Sequence, residues 1–91
     1  MKIGLCDGRH PLPCDQFVFD SIDNIFDYKQ LRDTAIKVLS DCTDPVVDLY
    51  VTGLTTALVE VLAAAKVCNK TVVLWHYDVN NDTYVPQIPG I

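Results

Sequence analysis

Val46-Val47-Asp48-Leu49-Tyr50-Val51-Thr52-Gly53-Leu54-Thr55-Thr56 is the stretch on which the fold turns. Residues 47, 49 and 51 are all apolar, while 46, 48, 50 and 52 are mixed, so the segment reads as a strand with one core face and one half-polar face. Gly53 breaks it, and Thr55 or Thr56 can cap a helix that runs to about Cys68. That helix is apolar almost all round, through Leu58, Val59, Val61, Leu62, Ala63, Ala64 and Ala65. It must therefore be covered on more than one side. Glu60 is its only charge before Lys66, and is expected to face solvent or a partner subunit.

Downstream, Asn69-Lys70 leads into a further strand, residues 71–79, with apolar side chains on both faces. Asn80-Asn81-Asp82 supplies turn chemistry for a hairpin into Thr83-Tyr84-Val85. Pro86 and Pro89 make that last piece an edge strand or a tail. Upstream, residues 2–7 form a short apolar strand that ends where Gly8, Pro11 and Pro13 force a loop. Phe17-Val18-Phe19 is a short extended piece. Asp27 is a plausible N-cap for a helix from Tyr28 to about Cys42, since Leu31, Ala35, Val38, Leu39 and Cys42 share one helical face. Asp44-Pro45 ends it.

The resulting order, β-α-β-α-β-β, predicts an α/β fold: a reduced Rossmann-like domain with three parallel strands, an antiparallel edge strand and two helices. Two helices cannot cover both faces of such a sheet, which predicts a homodimer or higher homo-oligomer.

Bulk composition narrows the class. Ninety-one residues suit one domain spanning 1–91, and 49% hydrophobic against 21% charged residues excludes a disordered chain. No apolar run reaches the roughly 18 residues of a membrane span; the longest, Ala57 to Ala65, is broken by Glu60. The first residues lack the apolar region of a signal peptide. A cytoplasmic protein, of a bacterial host cell in the phage setting considered below, with no membrane partner, is the expectation. Seven Lys and Arg against twelve Asp and Glu give a net charge of −5, which argues against long nucleic acids as partners. Nine of the aspartates fall between Asp7 and Asp48, as a solvated acidic surface would have them. The cysteines, Cys6, Cys14, Cys42 and Cys68, form no CxxC pair and read as free thiols. Cys6, His10 and Cys14 have donor types that suit zinc. The Pro-Leu-Pro segment restricts that loop and Cys6 belongs to a buried strand, so no metal and no cofactor is expected.

In open α/β sheets the ligand site lies beyond the carboxyl ends of the parallel strands. That rule selects three segments: Asp7-Gly8-Arg9-His10, Thr52-Gly53-Leu54-Thr55-Thr56 and His76-Tyr77-Asp78. They carry both histidines and one of the two arginines. A helix start binds anions through oriented N–H groups, and Arg9 adds a planar donor fork. Tyr77, Tyr84 and Trp75 can offer a stacking face to a base. Each feature also has a plainer reading. The Gly53 segment serves as a strand-to-helix turn, His76 as a core or interface histidine, Trp75 and Tyr77 as packing, and Arg9 as an aspartate's ion-pair partner. His10 with Asp7, or His76 with Asp78, has the types for acid–base work, but no nucleophile elbow accompanies either pair.

On Asp7-Gly8-Arg9-His10-Pro11, Leu49-Tyr50-Val51-Thr52-Gly53-Leu54-Thr55 and Leu74-Trp75-His76-Tyr77-Asp78, the chain resembles two related groups of small proteins. One comprises compact CRISPR-associated Rossmann-like proteins, including ring nucleases, that bind or cleave cyclic oligonucleotide signals. The other comprises phage proteins that sequester the cyclic nucleotide signals of bacterial immunity, such as those of Thoeris and CBASS. The resemblance implies an oligomeric anti-defence sponge for a small cyclic or adenine-nucleotide signal, with its pocket at or near a subunit interface. The expected ligand contacts are Asp7, Arg9, His10, Thr52, Gly53, Leu54, Thr55, Thr56, His76 and Tyr77, with no catalytic residue. Two alternatives stay open: a ring nuclease that cleaves such a signal by positioning a ribose 2′-hydroxyl, and an acidic module that inhibits a host protein by docking on it.

Overall fold

The computed structural model describes residues 1–7, 12–14 and 16–89. Its elements are β1 (Lys2–Cys6), β2 (Phe17–Phe19), α1 (Tyr28–Ser40), β3 (Val46–Tyr50), α2 (Thr55–Val67), β4 (Thr71–Asp78) and β5 (Thr83–Gln87). The strands form one sheet in the order β2-β1-β3-β4-β5, parallel except for the antiparallel β4–β5 hairpin. The α/β class, the two helices and the antiparallel edge are as the alternation predicts. The other edge differs: Phe17–Phe19 is a fourth parallel strand, in register with β1 at Gly4↔Phe17 and Cys6↔Phe19. Three residues carry too little periodicity to announce a strand. What fixes it is pairing, with the Gly4 N–H donating to Gln16 O at 2.8 Å and the Asp7 N–H to Phe19 O at 3.3 Å.

Topology assigns the faces. The chain moves from β2 through α1 to β3, and from β3 through α2 to β4, in the same direction across the sheet. Right-handed crossovers then place both helices on one face, where they pack against each other. The register puts Ile3, Leu49 and Leu74 in line, so Ile3, Leu5, Val47, Leu49, Val72 and Leu74 point at the helices and bury against Leu31, Ala35, Leu39, Ala57, Val61 and Ala64. The step from β1 to β2 runs the opposite way, and Leu12 and Phe17 pack on the opposite face. There a Cβ on Gly4 would sit 2.6 Å from a Phe17 ring carbon and 2.7 Å from Leu12 Cδ1. Glycine is what lets the returning chain close onto β1.

The helix ends are built differently. Asp27 caps α1 as predicted, accepting from the Gln30 N–H at 3.2 Å. The N-cap of α2 is Leu54, and no side chain caps that end. Thr55 and Thr56, the predicted caps, are instead the first two helical residues. α1 stops at Ser40 and β3 at Tyr50, each two residues before the sequence pattern runs out.

Glu60 does not face solvent or a partner subunit. It is only 4% exposed and accepts from Arg32 Nη2 at 2.7 Å and Nε at 3.0 Å, tying α2 to α1. A charge so placed needs a partner, and the neighbouring helix supplies it.

At the hairpin edge, the Trp75 carbonyl accepts from the Val51 N–H at 3.0 Å, so the backbone groups of Trp75 face β3. Its β5 neighbour, Pro86, is therefore at a non-hydrogen-bonded position, and its N–H-less nitrogen faces outward. Among the described residues no helix is long and apolar enough to cross a membrane.

Candidate functional site

The strand order reverses between β1 and β3, since β2 lies outside one and β4 outside the other. Beyond the carboxyl ends of β1, β3 and β4 opens a crevice of about 960 Å³. Its lining includes Cys6, Asp7 and Leu12 from the β1 end, Val51, Thr52, Gly53 and Leu54 from the β3–α2 turn, and His76, Tyr77 and Tyr84 from the hairpin. The volume lies within the range of about 300–1,000 Å³ usual for ligand pockets. Of the residues singled out in the sequence, it collects Asp7, Thr52, Gly53, Leu54, His76 and Tyr77. Thr55 and Thr56 lie beside it in the first turn of α2 without lining it. Arg9 and His10 lie outside the described residues.

One wall is aromatic. Register places Tyr50, Trp75, Tyr77 and Tyr84 on the sheet face away from the helices. Tyr50 stacks on Trp75 at 6.0 Å and meets Tyr84 edge-on at 5.1 Å, and Tyr84 lies 5.5 Å from Tyr77. Trp75 is turned away from the crevice, its Nε1 donating to Asp48 at 3.0 Å. The Tyr77 hydroxyl donates to Asp82 at 2.5 Å, and Asp82 occupies a left-handed turn position with φ +48°. That hydrogen bond pushes the Tyr77 phenol up, while burial does the same to Tyr50 and Tyr84. All three rings are neutral phenols at physiological pH, suited to stacking.

The opposite wall is backbone. Gly53 has φ +88°, a conformation that suits glycine, and a Cβ built on it meets nothing within 4 Å. The glycine therefore leaves room for a close approach to the chain just before α2. The amide end of that helix carries a positive dipole. Beside it, Thr52 Oγ1 is buried and has no hydrogen-bond partner among the described residues.

The polar chemistry available is modest. Among the described lining residues Asp7 is the only carboxylate, and none is a lysine or arginine. His76 Nε2 donates to Gln87 Oε1 at 2.8 Å. Burial, then Asp7 and Asp20, push the Cys6 thiol up, away from the thiolate a nucleophile needs. Among the described residues no group of His, Cys, Asp and Glu could hold a metal ion. Cys6, Leu12 and Val51 were not legible as lining residues. Cys6 and Val51 are ends of strands that read as core, and Leu12 arrives only through the loop that closes over Gly4.

A second cavity of about 300 Å³ lies at the far end, between the close of α2 and the start of β4, and includes Lys66 and Lys70. The Lys70 ammonium there is already engaged, donating to the Cys42 and Asp44 carbonyls at 2.5 Å each. This lysine ties the loop after α1 to β4.

No protein family, curated protein or solved structure matches the chain.

Proposed function

We propose that the chain binds and holds a small cyclic or adenine-nucleotide signal in the crevice between β1 and β3, as a phage-encoded anti-defence sponge acting in the bacterial cytoplasm would. The observation that carries this reading is the crevice itself: a tyrosine wall faces a glycine turn and a helix start, at the position where open α/β sheets take their ligands. Stacking on Tyr77 and Tyr84 suits a base, Asp7 suits a ribose hydroxyl, and the backbone of the β3–α2 turn suits an anion. Holding a ligand requires enclosure and complementarity rather than acid–base machinery. Described lining residues that offer one carboxylate and a protonated thiol fit holding better than cleavage. Association of two copies would extend the enclosure.

A thermal-shift screen with adenine nucleotides, cyclic ADP-ribose isomers and cyclic di- and trinucleotides tests the reading. A ligand at 100 times its Kd stabilises the fold by about 2.7 kcal/mol, which raises Tm by about 10 °C or more in a chain of this size. The expected result is such a shift with the ligand recovered whole after denaturation. Recovery of a cleaved ligand would make the protein a nuclease. No shift with any probe, with capture of a basic protein partner, would favour the docking module instead.

A further inference from the structure

The buried hydroxyl of Thr52 is the least explained polar group in the described fold. A buried hydroxyl without a partner loses its hydration with no hydrogen bond in return, and native folds rarely tolerate it without a reason. Valine has nearly the same shape and would avoid that cost, yet the position carries threonine. Its surroundings are specific. Thr52 lines the crevice, precedes a glycine whose missing Cβ leaves open space, and stands three residues before a helix that no side chain caps. Threonine side chains occupy discrete staggered rotamers, and a turn of about 120° about χ1 exchanges the hydroxyl with its neighbours on Cβ. Thr52 is itself a lining residue of the crevice, so such a turn re-aims its donor without moving the backbone.

We infer that Thr52 is the residue through which the crevice selects a phosphoryl group: its hydroxyl, unsatisfied among the described residues, turns to donate to a phosphoryl oxygen seated over Gly53. This rests on the nucleotide reading above and adds to it the position of the anionic group and a sign. Stability and affinity should move in opposite directions at this one residue, because the hydroxyl is a burden to the fold and a contact to the ligand. A neutral ligand part, such as a nucleoside, should be indifferent to it.

The test compares the wild-type chain with Thr52→Val and Thr52→Ser, by thermal melts and by calorimetric titration with AMP, adenosine and inorganic pyrophosphate. The expected Thr52→Val protein melts at or above the wild-type temperature and binds AMP and pyrophosphate at least about tenfold more weakly, the loss of a hydrogen bond to a charged group. Its adenosine affinity is unchanged, and Thr52→Ser restores AMP binding. Equal AMP affinity in folded Thr52→Val and wild type would overturn the inference. Should Thr52→Val fail to fold, the wild-type comparison decides: adenosine bound as tightly as AMP removes the phosphoryl seat while leaving a nucleoside site. Pyrophosphate binding that Thr52→Val loses, without nucleotide binding, keeps the seat and ends the nucleotide reading. No binding of any probe by the wild type ends both.

Discussion

Arg32 reaches across from α1 with half its side chain in solvent, and Glu60 receives it with almost none. The asymmetry decides which member of the pair matters to stability. Exposed Arg32 loses little when it is unpaired, but Glu60 stripped of its partner is a buried, uncompensated carboxylate. Arg32→Ala should therefore destabilise the fold by about 2–3 kcal/mol, seen as a lower urea midpoint with an unchanged denaturant slope. Replacing the pair together, Arg32→Leu with Glu60→Met, should recover most of that loss. If the double variant is no more stable than Arg32→Ala, the cost is lost interhelical contact rather than an orphaned charge. The sequence shows Glu60 as a lone acid on an apolar helix and nothing more. Its partner lies 28 residues away, and only the meeting of the two helices brings them together.

The β4–β5 hairpin shows how an element can be held by its turn. The Asp78 carboxylate accepts from the Asn81 side-chain amide at 2.8 Å and from the Asn80 N–H at 3.0 Å, and these bonds to its charged form lower its pKa, the Asn81 side chain most. The sign follows. A carboxyl whose folded pKa lies below its unfolded value contributes stability above the unfolded value, about 3.9, and loses it as pH falls through the folded value. An NMR titration should place the Asp78 midpoint below that of an unstructured aspartate. Below that midpoint the Asn80 and Asn81 amides should exchange faster, and Asp78→Asn should abolish the pH dependence. At this scale the sequence was a good guide wherever a pattern was long enough. The Asn-Asn-Asp turn, the Asp27 cap and the alternation of residues 46–52 each encode their structure within a few positions. It was a poor guide where the determinant is remote: β2 exists by pairing with β1, and α2 starts at Thr55 with Leu54, not a threonine, as its N-cap. The site was legible to the same degree. The rule for strand ends points to Asp7, Thr52, Gly53, Leu54, His76 and Tyr77, while Leu12 enters the crevice only through a long-range closure over Gly4.

Taken whole, the sheet has one edge of three residues and one of five, and the longer is guarded. Pro86 presents no N–H at a place where an incoming strand would need one, because the Trp75 backbone opposite it already faces β3. Pro86→Val should restore that donor and bring concentration-dependent association through β5, measured by sedimentation or light scattering. A variant that stays in the wild-type state at all concentrations would show that the proline is there for the chain's turn toward Pro89 instead. The face without helices has a different consequence. The molecule has a single tryptophan, stacked on Tyr50, hydrogen-bonded to Asp48 and next in the chain to two residues of the crevice. Its indole is thus a built-in optical reporter, with tyrosine energy donors at its side and a carboxylate on its nitrogen. Emission wavelength and tyrosine-to-tryptophan transfer register events at the crevice without any label being attached.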